Sequence, residues 1–159
     1  MMDMNVLFLC QANMCRSPLA EGLLKLILKK RNISAKVDSA GFEAYHINES
    51  PDERAVKKGI EHGIDISKKK VRLFQKDDFD KFDKIYVMDT LAYRNALYFA
   101  RNENDKNKVE FLMNVIKPGR NESVPDPFYR KLESCDETYN ILTQACDKIA
   151  DGITKEYVN

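Results

Sequence analysis

The sequence predicts an α/β fold of three layers, α/β/α, around a four-stranded parallel sheet, and two observations carry that prediction. Short apolar runs of strand length alternate with helical stretches along the chain, the pattern that builds right-handed βαβ crossovers. The polar residues best suited to chemistry, Cys10, Asp89 and Asp126, follow the ends of predicted strands, and open parallel sheets bind ligands beyond those ends. Composition agrees. The chain has 159 residues, 43% hydrophobic and 32% charged, with no repeat, linker or low-complexity segment, which suits one domain over residues 1–159.

Val6 to Leu9 form the first strand, an apolar run that stops on Cys10. A polar loop leads to Ser17-Pro18, and residues 18–30 read as helix, because a serine hydroxyl caps and proline suits the first helical position. Leu19, Leu23, Leu26 and Ile27 recur at helical spacing and mark its buried face. Lys29, Lys30 and Arg31 suit its C-terminal end. Residues 35–40 form a second strand that breaks at Gly41, and 51–62 a helix that stops at Gly63. A helical turn at 77–82 precedes the third strand, 84–88, which runs into Asp89. Residues 92–101 read as helix, 109–113 as the fourth strand, and 117–130, with prolines at 118, 125 and 127, as a loop. An amphipathic helix over 135–158 closes the chain.

With 26 positive and 25 negative residues the formal net charge is +1, so bulk electrostatics favour neither nucleic acid nor a membrane surface. No run approaches the roughly 20 apolar residues of a membrane-spanning helix. The start of the chain lacks the basic residues and apolar length of a secretory signal. A cytoplasmic protein is expected, in which Cys10, Cys15, Cys135 and Cys146 are thiols rather than bridges. Asn32, Asn48 and Asn121 then stand in glycosylation sequons without consequence. The cysteine spacings, with only His46 and His62 to help, match no four-ligand zinc site, and neither a metal nor another cofactor is expected.

Residues 10–18 read CQANMCRSP, a Cys-x5-Arg-Ser loop between a strand and a helix. The residues between, Gln11, Ala12, Asn13, Met14 and Cys15, can curl so that backbone N–H groups converge on an anion. The helix beginning there adds its positive end, and Arg16 offers a planar fork to two phosphoryl oxygens. The same donors, joined by the Ser17 hydroxyl, stabilise Cys10 as a thiolate. The bland alternative is a buried strand-end cysteine and a surface arginine. Cys-x5-Arg alone does not decide between them; the strand before it, and Ser-Pro with a helix after it, favour the anion loop.

A thiolate that displaces oxygen from phosphorus needs an acid to protonate the leaving group. In VPDPFYR, Asp126 lies between Pro125 and Pro127, which stiffen the backbone around its carboxyl. A phosphate dianion nearby helps such a carboxyl keep its proton. An ordinary turn is the alternative reading of Asp-Pro.

CQANMCRSPLAEGLL resembles the signature of the low-molecular-weight protein tyrosine phosphatases, and VPDPFY is similar to that family's acid loop. SAGF at 39–42, YHINESPDERA at 45–55, KDDFDKFDKIYVMD at 76–89 and the final helix follow in family order. The resemblance implies a Rossmann-like or flavodoxin-like sheet in the order 2-1-3-4. It implies a phosphatase acting on phosphotyrosine proteins and, like an acid phosphatase, on small aryl phosphates. Phosphate or another oxyanion would occupy the loop, with no nucleic-acid partner, and the assembly would be a monomer or weak dimer.

The family's roles carry over by position. Cys10 would form a cysteinyl-phosphate while Asp126 protonates the leaving oxygen and then acts as base toward water. Arg16 would bind the phosphoryl oxygens, and Asn13 would hold the loop in a strained shape. Tyr45, Phe128 and Tyr129 would line the substrate cleft. Cys15 would trap an oxidised Cys10 as a reversible disulfide, whereas Cys135 and Cys146, on one face of the last helix, pack. Four departures stand out. Ala12 and Asn48 replace common glycines, and Tyr45 replaces a common tryptophan. In SKKKVR at 67–72 a lysine takes the place of a usual histidine, with an apparent extra residue. That leaves the partner of Asp89, expected to be structural support, open.

Rival readings differ in what they require. An arsenate reductase of this fold needs a further cysteine pair mid-chain, and residues 64–105 contain none. A protein-arginine phosphatase resembles the loop but carries threonine where this chain has Met14, whose apolar side chain suits an aromatic ring. A phosphotyrosine-binding module without turnover would lack the nucleophile or the acid. A sugar-phosphotransferase subunit would leave Arg16 and VPDPFY unexplained.

Overall fold

A computed structural model of the chain describes residues 4–127 and 133–158, side chains at 133–135 and 156–158 excepted. Its centre is a parallel sheet of four strands in the order β2-β1-β3-β4, the order expected. The strands are β1 (Val6–Leu9), β2 (Val37–Ala40), β3 (Lys84–Val87) and β4 (Val109–Phe111). Val6 pairs with Val37 on one side and Lys84 on the other, and Ile85 pairs with Val109.

The unbroken apolar run of β1 follows from its place in the middle of the sheet, covered on both faces. Val6 and Phe8 point into a core shared with α1 (Arg16–Lys30), α2 (Glu53–Glu61) and α6 (Glu133–Val158). Leu7 and Leu9 point into a second core with α3 (Asp78–Lys81) and α4 (Thr90–Phe99). The result is the three-layer α/β/α arrangement. Leu24 and Leu142, both fully buried, each contribute about 1.5–3 kcal/mol through the apolar surface they remove from water.

Several boundaries differ from the sequence reading, each for a physical reason. Helix α1 begins at Arg16, not Pro18, with Cys15 at the cap position and no side-chain cap bond. Ser17 therefore does not cap; it lies in the first turn, fully buried, its hydroxyl committed to Cys10 and Asn13. The buried stripe of α1 runs through Leu19, Leu23, Leu24 and Leu28, while Leu26 and Ile27 are only partly covered. That stripe is wide because the helix packs against the sheet and α6 together. Asp89 caps α4 by accepting from Ala92 N–H at 2.8 Å, so the helix starts two residues earlier than composition suggested. Beyond Phe111 the chain turns into a 3-10 helix, Leu112–Val115, rather than continuing the strand. A short helix α5 (Glu103–Lys108) was not foreseen, although Asn102 caps it through Asp105 N–H.

The asparagines of the three sequons share one unusual backbone conformation. Asn32, Asn48 and Asn121 adopt left-handed backbone, φ 56°, 70° and 53°, which asparagine tolerates better than other side chains. This explains how Asn48 serves where glycine is common. Gly63, φ 78°, takes the same conformation past the end of α2.

Candidate active site

The loop from Cys10 to Cys15 joins the buried end of β1 to the first turn of α1, at the carboxyl edge of the sheet. Cys10, Cys15 and Arg16 are nearly enclosed, and Asn13 and Ser17 are fully so. The backbone N–H groups of Gln11, Ala12, Asn13 and Met14 have no acceptor among the described residues. Converging unpaired donors at a helix N-terminus form an anion cradle. Of the loop residues, only Asn13 has positive φ, 58°; Ala12 does not, so its Cβ is accommodated.

Asn13 anchors the loop by a directed network. Its Oδ1 accepts from Arg72 N–H at 3.1 Å, which fixes which end of the amide is nitrogen. Nδ2 then donates to Ser17 Oγ and Ser39 Oγ, each at 2.9 Å. Each serine must direct its own proton elsewhere. Ser39 donates to Glu21 Oε1 at 2.7 Å, and Ser17 is left to donate to Cys10 Sγ, 2.9 Å away. The sulfur and the Ser17 hydroxyl are thereby held in direct contact inside the loop. Buried Glu21 is balanced by Lys25 at 2.6 Å and Lys69 at 3.1 Å, and Lys69 also meets Asp38 at 2.6 Å. Lys69 is one of the lysines of SKKKVR.

The other side of the loop is held by close approach. Gln11 O accepts from Phe42 N–H at 2.8 Å and Glu43 N–H at 3.2 Å. A Cβ on Gly41 would lie 2.8 Å from Gln11 O and 2.9 Å from Asn13 N, so no larger residue fits there without moving the loop. Asp52 N–H donates to Met14 O at 2.9 Å, tying in the start of α2.

Arg16 reaches across the sheet edge. Nη2 meets Asp89 Oδ2 at 2.8 Å and Asp126 Oδ2 at 3.5 Å, and Nη1 donates to Val124 O at 3.0 Å. Asp89, whose partner the sequence left open, therefore pairs with Arg16 while capping α4. Burial works against the Arg16 charge, but Cys10, Asp89 and Asp126 outweigh it and hold the guanidinium above its ordinary pKa. The Asp126 loop is pinned on both sides: Val124 N–H donates to Met88 O at 2.7 Å, and Thr138 Oγ1 to Pro125 O at 2.9 Å.

These elements enclose a cavity of about 500 Å³. Cys10, Gln11, Ala12, Met14, Cys15 and Arg16 form its floor, and Asp126 reaches it from its own loop. The structure brings together Cys10, Arg16 and Asp126, residues read from motifs more than 100 positions apart. Glu43, His46, Asp89 and Leu91 line its wall. Tyr45, expected in the cleft, is 86% exposed between two lining residues and is not itself part of the lining. Phe128 and Tyr129 lie outside the described residues, as does the side chain of Cys135. Cys146 is fully buried, its Sγ 3.6 Å from Ala20 O, and packs as expected.

Sequence reasoning missed Glu21, Glu43, His46 and Leu91. Glu21 left a trace: it sits four residues after Ser17 on the apolar face of α1, where a carboxylate needs partners. The others left none, since only the fold brings their segments to the loop.

Residues 5–159 match the family model of low molecular weight phosphotyrosine protein phosphatases. A human low molecular weight phosphotyrosine protein phosphatase is 33% identical over 148 residues, spanning 89% of this chain and 90% of the human one. A protein tyrosine phosphatase structure from Entamoeba histolytica, with Hepes in its active site, superimposes with a TM-score of 0.88 at 29% identity, covering 98% and 99% of the two chains. A Drosophila arginine phosphatase structure superimposes with a TM-score of 0.85 at 27% identity, covering 94% and 97%.

Proposed function

Because the chain belongs to the low molecular weight phosphotyrosine protein phosphatase family, we propose that it hydrolyses phosphotyrosine in proteins, and small aryl phosphates, through a cysteinyl-phosphate. One observation above all supports this: Cys10, Arg16 and Asp126 line one cavity at whose floor the backbone N–H groups of residues 11–14 have no acceptor among the described residues.

The phosphoryl dianion binds the loop N–H groups and the part of the Arg16 fork not committed to Asp89, Asp126 and Val124. The Cys10 thiolate attacks phosphorus in line, forming the S–P bond as the P–O bond to the aryl group breaks. Asp126 gives its proton to the departing oxygen. In the second step the Asp126 carboxylate takes a proton from water as that water attacks phosphorus, and the S–P bond breaks to release phosphate and the thiolate. The Ser17 hydroxyl stabilises the sulfur whenever it is anionic. Asp89 positions Arg16 rather than touching substrate.

Phosphoarginine is the competing substrate, given the arginine phosphatase among the structural relatives. Met14 weighs against it, because a thioether lining the cavity suits an aromatic ring better than a guanidinium.

The test is phosphate release from p-nitrophenyl phosphate without added metal, between about pH 4.5 and 8, for wild type, Cys10→Ser and Asp126→Ala. Turnover abolished in the first variant and strongly reduced in the second is the expected result. A phosphotyrosine peptide is expected to be a far better substrate than a phosphoarginine peptide. The reverse order would transfer the assignment to phosphoarginine, and no turnover of any of them by folded, reduced protein would end the phosphatase reading.

A further inference from the structure

We propose, on the basis of that phosphotyrosine reading, that the cleft selects sites in which a lysine or arginine neighbours the phosphotyrosine, and that the Glu43 carboxylate is the group that pairs with it.

Glu43 is fixed beside the chemistry. Its N–H and that of Phe42 both donate to Gln11 O, on the residue that follows the nucleophile, and Glu43 is among the residues lining the cavity. It is half-buried, yet among the described residues its carboxylate makes no hydrogen bond or ion pair. The neighbouring carboxylates are all engaged. Asp89 and Asp126 face Arg16, and Glu49 meets His46 at 2.6 Å.

Among the described residues the nearby cations are engaged too. Lys69 and Arg72 are held among Glu21, Asp38 and Asp78. Among the described residues, Arg16 is the lining's one lysine or arginine, and it sits at the floor between two aspartates. The phosphoryl group is therefore met by positive charge at the floor, while the polypeptide carrying it passes an uncompensated negative charge on the wall. Such a pattern rewards a basic neighbour and repels an acidic one, because specificity comes from the like-charge penalty as much as from the pair.

The experiment measures kcat/KM on one phosphotyrosine peptide carrying Lys, Ala or Glu at the positions flanking the phosphotyrosine. Wild type is expected to rank them Lys, then Ala, then Glu, with about three- to tenfold between the extremes, the scale of one partly exposed ion pair. The spread should shrink at high salt. Glu43→Gln is expected to flatten the ranking and Glu43→Lys to invert it. Since each enzyme is compared across peptides, a general loss of activity in a variant leaves the ratio readable. Equal rates on all three peptides with wild type, or a ranking unchanged in both variants, overturns the proposal while leaving the phosphatase assignment intact. No turnover of any peptide would instead strike at that assignment.

Discussion

Replacing Asn13 with alanine tests the architecture under the loop more sharply than any substitution of a reacting group. The change removes three hydrogen bonds, to Ser17 Oγ, to Ser39 Oγ and from Arg72 N–H, at 2.9, 2.9 and 3.1 Å. All are at a residue with no solvent exposure. At about 1 kcal/mol net for each bond they amount to roughly 3 kcal/mol. Alanine at φ 58° adds about 1 kcal/mol of backbone strain. A destabilisation of about 4 kcal/mol is expected, a large part of the roughly 5–15 kcal/mol typical of a domain. The assay is urea unfolding, read with an unchanged m-value to show that the same transition is being followed. Activity is expected to fall further than the folded fraction, because the Ser17 proton is no longer steered to Cys10. A loss below about 1 kcal/mol, or kcat unaltered in the folded variant, would refute the claim that Asn13 organises both the loop and the sulfur's donor.

Three further outcomes follow from single sites. Gly41→Ala places a methyl within 2.8–3.0 Å of backbone atoms of Gln11, Asn13 and Ala12; stability is expected to fall by about 1–3 kcal/mol and kcat/KM by about 100-fold as the loop shifts, measured by unfolding and p-nitrophenyl phosphate kinetics. At Asp38 burial works to raise the pKa, but Lys69, Arg72 and Ser39 N–H together hold it below the usual carboxylate range. A depressed folded value means the stabilisation is present above the unfolded pKa, about 3.9, and is lost as pH falls through the folded one. Asp38→Asn is therefore expected to cost stability at pH 7, with the gap to wild type closing below about pH 4, as urea titrations at both pH values would show. Burial, with Asp147 adding to it, pushes the Cys146 thiol well above its ordinary pKa, so iodoacetamide at neutral pH should label Cys10 and spare Cys146 until the chain is unfolded.

How far the sequence reads depends on how local the cause is. The strand entering Cys10, the turn at Gly63 and the amphipathic last helix rest on neighbours in the chain, and each was legible. Of the two roles read for Ser17, the contact with Cys10 holds and the cap does not. Capping is a local role, but the hydroxyl's partners are Cys10, seven residues back, and Asn13, itself fixed from Ser39 and Arg72. Helix α5 went unread because its six residues, ENDKNK, are polar throughout, with no apolar period to reveal it.

The sequence by itself determined the chemistry available: a cysteine at a strand end, a run of backbone donors closing on Arg16, and an aspartate stiffened between prolines. Those are covalent and short-range facts, carried by residue identity and spacing. Only the tertiary structure decided what surrounds them. The parallel order β2-β1-β3-β4 brings the segment after β2, the start of α4 and the Asp126 loop to one edge. There Arg16 meets Asp89, Gly41 admits the loop backbone, and Glu43 is left without a partner among the described residues. Such pairings join residues tens of positions apart, and the core that sets their distances has no signature in any one stretch of the chain.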